Sequence, residues 1–493
     1  MKRILSLALF APSLWIACGG NTTPADMAAA DMASPDMTTL PPPQLAVACN
    51  DAITDVYVEP TGLPAYDSSH RGDVVRCAKD RSLTAAQVNA ALTIKGFTGT
   101  AGTQGVTIYR IGYRTDRSEA GKSGVEGYAS AVVLIPDVIA APGGLVVTGH
   151  GSVGLATKCA PSLFDFTTAN DNDAAQTMAL APAGEGVVTI APDFAGYAGG
   201  AVQGWALAED EAHSLLDATR AMKNILPAAE APTKVVIVGH SAGGHAVLSA
   251  QALAGSYGTA GKVVGVVAFA PLWVPQTAWG AVLSPSLGFT TDGAYASIIA
   301  YGTQYFYGHG EILDGAGGGL VPFQTAKQQA VKTMLTGSCN SDYGTEIKAI
   351  GMTPSDFFDD AWSTSVSLCA LGGDCSMEPA KSWRARFTAD RPPIDVNGAP
   401  TIVWHGQMDS LVQPGYAQCD IDKFAADEMG HTGNTGTVSI CIDPMATHSS
   451  VVERQMDYVD QWIASLLLGK TAPVCAQTSF NPPIKCSLPV ANN

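Results

Sequence analysis

Short apolar runs alternate with stretches of helical character along most of this chain, from about residue 104 onward. The runs with the composition of strands cover residues 106–113, 129–135, 144–148, 187–191, 235–239, 263–269, 401–404 and 437–442. Strands that alternate with helices favour a mainly parallel sheet with helices on both faces. The pattern therefore predicts an α/β fold with an eight-stranded sheet.

One interval between predicted strands, from 263–269 to 401–404, spans about 130 residues and is far longer than an ordinary connection. We therefore predict that residues 271–396 form a cap inserted before the penultimate strand. Residues 46–270 and 397–470 then form the α/β core. An insertion at the carboxyl edge of a parallel sheet lies over the crevice in which such folds bind ligands.

Composition excludes two classes of protein. The chain has 493 residues, of which 46% are hydrophobic and 14% charged, so it is not a disordered chain. Its 44 acidic and 27 basic residues give a formal net charge of −17, which repels a phosphate backbone. Nucleic acid is therefore not expected as a partner.

The N-terminus has the pattern of a bacterial lipoprotein signal. Lys2 and Arg3 precede an apolar run over residues 4–16, and Cys18 follows it. We predict a signal peptide over residues 1–18, with Cys18 as the lipidated residue, and a disordered tether over residues 19–45. An ordinary cleaved secretory signal is the alternative. Because Gly19 is not acidic, attachment to the outer membrane or the cell surface is favoured, and release from the cell stays open.

Ten cysteines remain when Cys18 is set aside, and this even number indicates an oxidising compartment and therefore export. The last two lie in the C-terminal tail, which we assign to residues 471–493. The sequence does not determine the pairing, but proximity along the chain favours Cys369 with Cys375, Cys419 with Cys441, and Cys475 with Cys486.

A Gly-x-Ser-x-Gly pattern, residues 239–243, stands between the predicted strand 235–239 and a helical run. A serine in so tight a turn is forced toward unfavourable backbone angles, and its hydroxyl is exposed. Glycines on both sides leave room for the close contacts. Ser241 is therefore the predicted nucleophile.

A serine hydroxyl needs a base, and the base needs an acid that orients it. In this architecture the acid and then the histidine follow the late strands in chain order. Asp409 lies shortly after the predicted strand 401–404, and His448 lies shortly after 437–442. We predict that both side chains meet Ser241 at the carboxyl edge of the sheet.

The oxyanion that forms during acyl transfer needs preorganised N–H donors. The backbone amide of Ala242, directly after the nucleophile, is the first predicted donor. The second is expected in the glycine-rich loop after the third predicted strand, at Gly151 or Ser152.

Four segments contain motifs that resemble those of a known family. They are 150–155 with 159–162, 191–197, 239–245, and 405–409 with Val412 and Pro414. Together they resemble the secretory lipase family of α/β hydrolases, over about residues 70–468. The resemblance implies an α/β-hydrolase fold, hydrolysis of acyl esters, no cofactor and a large cap late in the sheet. Ser152 and Ala242 depart from the threonine and glutamine common in the family. Both positions contribute chiefly backbone amides, so the departures bear on the acyl chain that is preferred.

The sequence therefore predicts an exported, lipid-anchored serine carboxylic ester hydrolase of the lipase or esterase kind. Its expected partners are an ester substrate and, through the anchor, a membrane. No metal and no cofactor is expected, because no metal or nucleotide motif stands in a fitting context. Two alternatives stay open: a serine peptidase or acetyl esterase with the same three residues, and a non-catalytic surface binding module of the same fold.

Overall fold

The computed structural model describes residues 45–119, 122–273, 276–285, 288–291, 295–429 and 436–487. The predicted signal peptide, the predicted lipidation site Cys18 and all but the last residue of the predicted tether lie outside the described residues. Among the helices within these ranges, none is both long enough and apolar enough to cross a bilayer.

The described chain contains one nine-stranded, mostly parallel sheet. In chain order its strands are β1 (Val74–Leu83), β2 (Val106–Glu119), β3 (Lys122–Pro136), β4 (Gly144–Gly149), β5 (Val188–Ala195), β6 (Lys234–His240), β7 (Lys262–Phe269), β8 (Thr401–Gly406) and β9 (Val438–Asp443). Their order across the sheet is β1-β2-β3-β5-β4-β6-β7-β8-β9. The pairs β1–β2, β2–β3 and β3–β5 are antiparallel, and the others are parallel.

The predicted count of eight strands is wrong by one, because the sequence pattern misses β1. This strand lies at the edge of the sheet and carries Arg76, Lys79, Asp80 and Arg81 among its ten residues. An edge strand keeps one side in contact with solvent, so it lacks the continuous apolar run that marks the buried parallel strands. The other eight strands lie where the pattern predicts them.

Helices cover both faces of the sheet, as predicted. The helices of the core are α1 (Ala85–Ile94), α2 (Asp173–Gly184), α3 (Ala208–Ile225), α4 (Ala242–Tyr257), α11 (Pro414–Met429) and α12 (Ser450–Leu468). Alternate residues of β6 face opposite ways: Val235 and Ile237 join a cluster with α3 and α4, whereas Val236 and Val238 join one with α1, α2 and α12. The period of two along a strand thus divides the hydrophobic core into two layers.

The segment between β7 and β8 is helical. Its helices are α5 (Gln276–Leu283), α6 (Tyr295–Leu313), α7 (Gln328–Gly337), α8 (Asn340–Ile350), α9 (Asp360–Ala370) and α10 (Ala380–Ala389). It supplies most residues of a third hydrophobic cluster, in which Tyr305, Phe306, Trp362 and Trp383 are buried. The same cluster includes Trp205 of the core, so the insertion packs directly against the α/β part.

Five disulfides join the ten cysteines. The predicted pair Cys369–Cys375 is confirmed. The predicted pairs Cys419–Cys441 and Cys475–Cys486 are wrong, and the observed pairs are Cys419–Cys486 and Cys441–Cys475; Cys49–Cys77 and Cys159–Cys339 complete the set.

The physical reason for the two wrong pairs is the path of the C-terminal tail. After α12 the tail runs back along the edge of the sheet, where the Ile442 amide donates to the Gln477 carbonyl. It then reaches the start of α11, where Ser487 donates to Gly415. Each tail cysteine therefore meets the element beside it in space rather than its neighbour in sequence.

Candidate active site

Ser241 occupies the turn between β6 and α4. Its backbone has φ 57° and ψ −118°, which is a strained conformation for a residue with a side chain. The turn is tight on both sides: a Cβ on Gly239 would lie 2.1 Å from the Gly243 carbonyl oxygen, and one on Gly243 would lie 2.1 Å from the Gly149 carbonyl oxygen. Only glycine fits at either position, as the sequence pattern indicates.

The structure brings the three predicted residues together at the carboxyl edge of the sheet. His448 Nε2 lies 2.9 Å from Ser241 Oγ, and His448 Nδ1 lies 2.8 Å from Asp409 Oδ2. These contacts join the ends of three parallel strands, because Ser241 follows β6, Asp409 follows β8 and His448 follows β9. The hydroxyl thus faces a ring nitrogen whose partner nitrogen faces a buried carboxylate.

Backbone amides fix the orientation of the Asp409 carboxylate. Its Oδ1 accepts hydrogen bonds from the amides of Leu411 (2.8 Å) and Val412 (2.9 Å), which leaves Oδ2 for His448. The loop after β8 therefore holds the aspartate before any substrate is bound. Only 4% of Asp409 is exposed, so the contact with His448 is shielded from water.

A second histidine holds the backbone of the first. His240 donates from Nε2 to the carbonyl of His448 at 2.8 Å. Burial, together with the proximity of His448, lowers the pKa of His240 to about 3, so this ring stays neutral across the working range of pH. His240 is therefore a positioning residue, and nothing in the sequence pattern distinguishes it from an ordinary strand residue.

The predicted oxyanion loop follows β4 and lies against Ser241. A Cβ on Gly151 would lie 3.6 Å from Ser241 Cβ, and Ser152 Oγ accepts a hydrogen bond from Trp205 Nε1 at 2.9 Å. Ala242 is the first residue of α4, so its amide belongs to the helix start, where N–H groups have no intrahelical acceptor. The structure thus places Gly151 and Ser152 beside the turn that contains Ser241 and Ala242.

The predicted oxyanion loop is also attached to the insertion. The disulfide Cys159–Cys339 joins the chain after the loop to the start of α8. Beside it, the Asn340 amide donates to the Val153 carbonyl, and the Leu155 amide donates to the Tyr343 hydroxyl. No local sequence pattern indicates this attachment, because the two cysteines lie 180 residues apart in the chain.

A small apolar cavity of about 70 Å³ reaches Ser241 and His448. Its walls come from both parts of the molecule: Trp205, Leu411 and Val412 from the core, and Trp279, Val282, Phe289, Ile298 and Tyr301 from the insertion. Trp205 stacks on Tyr301 with ring centroids 5.5 Å apart and meets the edge of Trp279 at 5.4 Å. The insertion therefore forms one wall of the space beside the serine.

A buried polar network connects the two parts one helical turn beyond Ser241. His245 donates from Nδ1 to Glu211 Oε2 (2.9 Å) and from Nε2 to the Asp390 carbonyl (2.7 Å). His309 donates from Nε2 to Asp390 Oδ2 (2.7 Å), which also accepts from the Tyr305 hydroxyl (2.5 Å). Because both nitrogens of His245 face acceptors, the ring needs both protons to satisfy them. The sequence pattern gives no signal for this network.

Comparison with known families bears on the resemblance found in the sequence. Residues 165–273 match the family described as secretory lipase. The resemblance to the secretory lipase family is confirmed. The matched segment runs through α2, β5, α3, β6 and α4 to the end of β7, and so includes the Ser241 turn.

The fold resembles those of a lipase and an esterase from other organisms. Lipase A of Candida antarctica in its closed state superposes with a TM-score of 0.60 at 17% identity, over 89% of this chain and 90% of that one. The ligand-bound rice cell wall degrading esterase LipA of Xanthomonas oryzae gives 0.56 at 18% identity, over 81% of this chain and 99% of that one. No curated protein matches the sequence of the chain.

Proposed function

We propose that this protein is a serine carboxylic ester hydrolase of the lipase or esterase kind, with Ser241 as nucleophile, His448 as general base and acid, and Asp409 as the residue that orients His448. The observation that carries the proposal is the pair of contacts at His448, 2.9 Å to the hydroxyl and 2.8 Å to the carboxylate. The match to the secretory lipase family supports the same conclusion.

In the first half of the reaction, Ser241 Oγ attacks the carbonyl carbon of the ester and His448 Nε2 takes the hydroxyl proton. The negative charge that develops on the carbonyl oxygen is stabilised by the amides of Ala242 and of Gly151 or Ser152, each worth roughly 3 to 4 kcal/mol. Asp409 stabilises the imidazolium that has formed. His448 then returns the proton to the leaving alcohol as the carbon–oxygen bond breaks, which leaves an acyl group on Ser241.

In the second half, a water molecule gives one proton to His448 and its oxygen attacks the acyl carbon. The bond to Ser241 Oγ breaks, the serine recovers the proton, and the carboxylic acid leaves. No step requires a metal or a cofactor. The aromatic and aliphatic walls of the cavity at Ser241 suit an apolar acyl chain, and we assign residues 271–396 as the cap that covers this chain.

Export is part of the proposal, since five disulfides indicate an oxidising compartment. We propose further that Cys18 carries a lipid that holds the protein at the outer membrane or the cell surface. Metabolic labelling with a palmitate analogue tests this: wild type is expected to take up label and Cys18→Ala is not, and equal labelling would refute the anchor.

A fluorophosphonate probe tests the enzyme assignment. Wild type is expected to be labelled on Ser241, and Ser241→Ala is expected to stay unlabelled while keeping the wild-type melting temperature. Hexanoate and longer esters, assayed beside peptide anilides, then test the type of bond. Folded wild-type protein that is not labelled, or faster cleavage of the anilides, would contradict the assignment.

A further inference from the structure

A second cavity also reaches Ser241 and His448, and its walls differ from those of the apolar one. Its volume is about 410 Å³, and it lies among the loop before α2, the start of α8 and the start of α12. Its lining includes the polar residues Asn170, Asp171, Asn172, Asn340, Ser341 and Glu453. A substrate at Ser241 therefore meets an apolar space and a polar one.

The charges around the polar cavity exclude anionic ligands. Among the described residues that line it, none is Lys or Arg. The nearby Lys95 is buried and already bound to Asp173 Oδ1 (2.8 Å) and the Thr168 carbonyl (2.7 Å). Carboxylates without a facing cation repel phosphate and carboxylate groups, whereas carboxylates and amides together bind hydroxyl groups well.

The side chain of Asn172, in the wall of the polar cavity, is independent evidence that the cavity binds a ligand. Only 3% of the residue is exposed, and neither its side-chain oxygen nor its nitrogen has a hydrogen-bond partner within the described part of the chain. Buried polar groups are nearly always satisfied, so such a carboxamide marks a place that a ligand hydroxyl or an ordered water completes.

The two cavities differ in which part of an ester they suit. The acyl group stays bonded to Ser241 after the first step, so it belongs in the apolar cavity that the insertion lines. The alcohol must leave first, so it belongs in the polar cavity. That cavity, at about 410 Å³, lies within the roughly 300–1,000 Å³ typical of ligand pockets, which is more space than a short alkyl alcohol needs.

We propose that the polar cavity binds a hydroxyl-rich alcohol, of the size of a sugar, as the leaving group of an apolar acyl ester. The inference rests on the proposed ester hydrolysis and adds the chemistry of the alcohol. Asn172 is assigned as a specificity residue for the hydroxyl groups, and Asn340 supports it from the opposite wall at the start of α8.

Two esters of matched shape test the inference: glucose esterified at its primary hydroxyl with hexanoate, and cyclohexylmethyl hexanoate. Wild type is expected to show at least a tenfold higher kcat/KM for the sugar ester, with the difference in KM. Asn172→Leu is expected to lower this ratio at least fivefold, through KM for the sugar ester alone. Asn340→Ala, the second variant, is expected to lower it in the same direction if Asn172→Leu does not fold.

Asn397→Leu is the matched control, because Asn397 is an exposed residue just before β8, at the opposite edge of the sheet. Its ratio is expected to equal that of wild type. A wild-type preference for cyclohexylmethyl hexanoate, equal rates for the two esters, or faster cleavage of choline hexanoate would overturn the inference and leave the ester hydrolase intact. Hydrolysis of no hexanoate ester would overturn the proposed function and this inference with it.

Discussion

The α/β core buries mainly aliphatic side chains, whereas the helical insertion buries aromatic ones. In the core, valine, isoleucine and alanine fill the layers on both faces of the sheet. In the insertion, Phe306 meets the edges of Trp362 and Trp383, each with centroids 5.0 Å apart. The core thus holds fixed backbone geometry, and the insertion supplies a broad apolar wall.

The two regions are joined by contacts of three kinds. A disulfide joins the chain after the predicted oxyanion loop to the start of α8, a buried hydrogen bond joins His245 to the Asp390 carbonyl at the end of α10, and Trp205 stacks on Tyr301. The contacts at His448 lie entirely within the core. The proposed proton transfer therefore uses groups of the core alone, while the shape of the space around Ser241 and the position of the predicted oxyanion loop depend on the attachments.

A substitution within the core tests the first half of that statement. Asp409→Asn keeps the acceptor for Leu411 and Val412 but presents an amide to His448, which favours the wrong tautomer. We expect kcat to fall about 10⁴-fold, or roughly 5 kcal/mol, with little change in stability. Steady-state hydrolysis of a hexanoate ester measures the loss, and thermal melts check the fold. A loss below tenfold would mean that Asp409 does not orient the base.

Breaking the ionic bridge between His245 and Glu211 is expected to have the next largest effect. His245→Asn leaves the Glu211 carboxylate buried without its cation, which costs about 3–5 kcal/mol of unfolding free energy. Denaturant titration measures it. The double variant Glu211→Gln with His245→Asn is the control, and it is expected to recover part of the loss because no charge is left buried.

The same histidine makes a prediction about pH. Burial acts to lower the pKa of His245, but the hydrogen bond and charge of Glu211 raise it above the ordinary 6.5. A raised folded-state pKa stabilises the protein fully below about pH 6.5, and this contribution is lost as the pH rises through the folded-state value. Wild type is therefore expected to lose unfolding free energy on this account above pH 6.5, and His245→Asn is expected to lack that component. Parallel pH profiles would contradict the ionic bridge.

Two disulfides involve the insertion, and they differ chiefly in the length of chain that they close. Cys159–Cys339 closes a sequence separation of 180 residues, and Cys369–Cys375 one of 6. The chain-entropy model makes loss of the first roughly 3 kcal/mol more destabilising than loss of the second. We also expect the double serine variant of the first pair to lower kcat about tenfold by loosening the oxyanion loop.

The corresponding serine variant of Cys369 and Cys375 is expected to keep the wild-type kcat. Equal kcat values for the two disulfide variants would show that the oxyanion loop holds its position without the insertion. Urea unfolding and ester hydrolysis, both measured on folded protein, separate the effect on stability from the effect on the reaction.

The smallest effect is expected inside the insertion. Tyr305→Phe keeps the ring stacked on Trp279, with centroids 4.8 Å apart, and removes only the hydroxyl bonded to Asp390. We expect a loss of about 1.5 kcal/mol in unfolding free energy and unchanged kcat. Tyr307→Phe removes another buried hydroxyl of the same helix and serves as the control. A fall in kcat for Tyr305→Phe would show that the hydrogen bond between Tyr305 and Asp390 affects the reaction at Ser241.

Much of the fold was predictable because buried parallel strands have a clear sequence pattern. The eight apolar runs, the long interval before β8 and the Ser241 turn all follow from local composition and spacing. β1 was missed because an edge strand can carry charges, and two disulfides were misassigned because the tail doubles back along β9. Trp205 and His240 were missed because their roles depend on neighbours more than 50 residues away.

Strand periodicity and glycine-flanked turns are local properties. They are therefore enough to predict which residues could carry the chemistry and on which edge of the sheet these residues lie. Three features are visible only in the folded chain: the attachment of the insertion to the core, the pairing of the cysteines, and the meeting of one polar and one apolar cavity at Ser241. Those features arise from contacts between segments far apart in sequence, and local patterns carry no information about such distances.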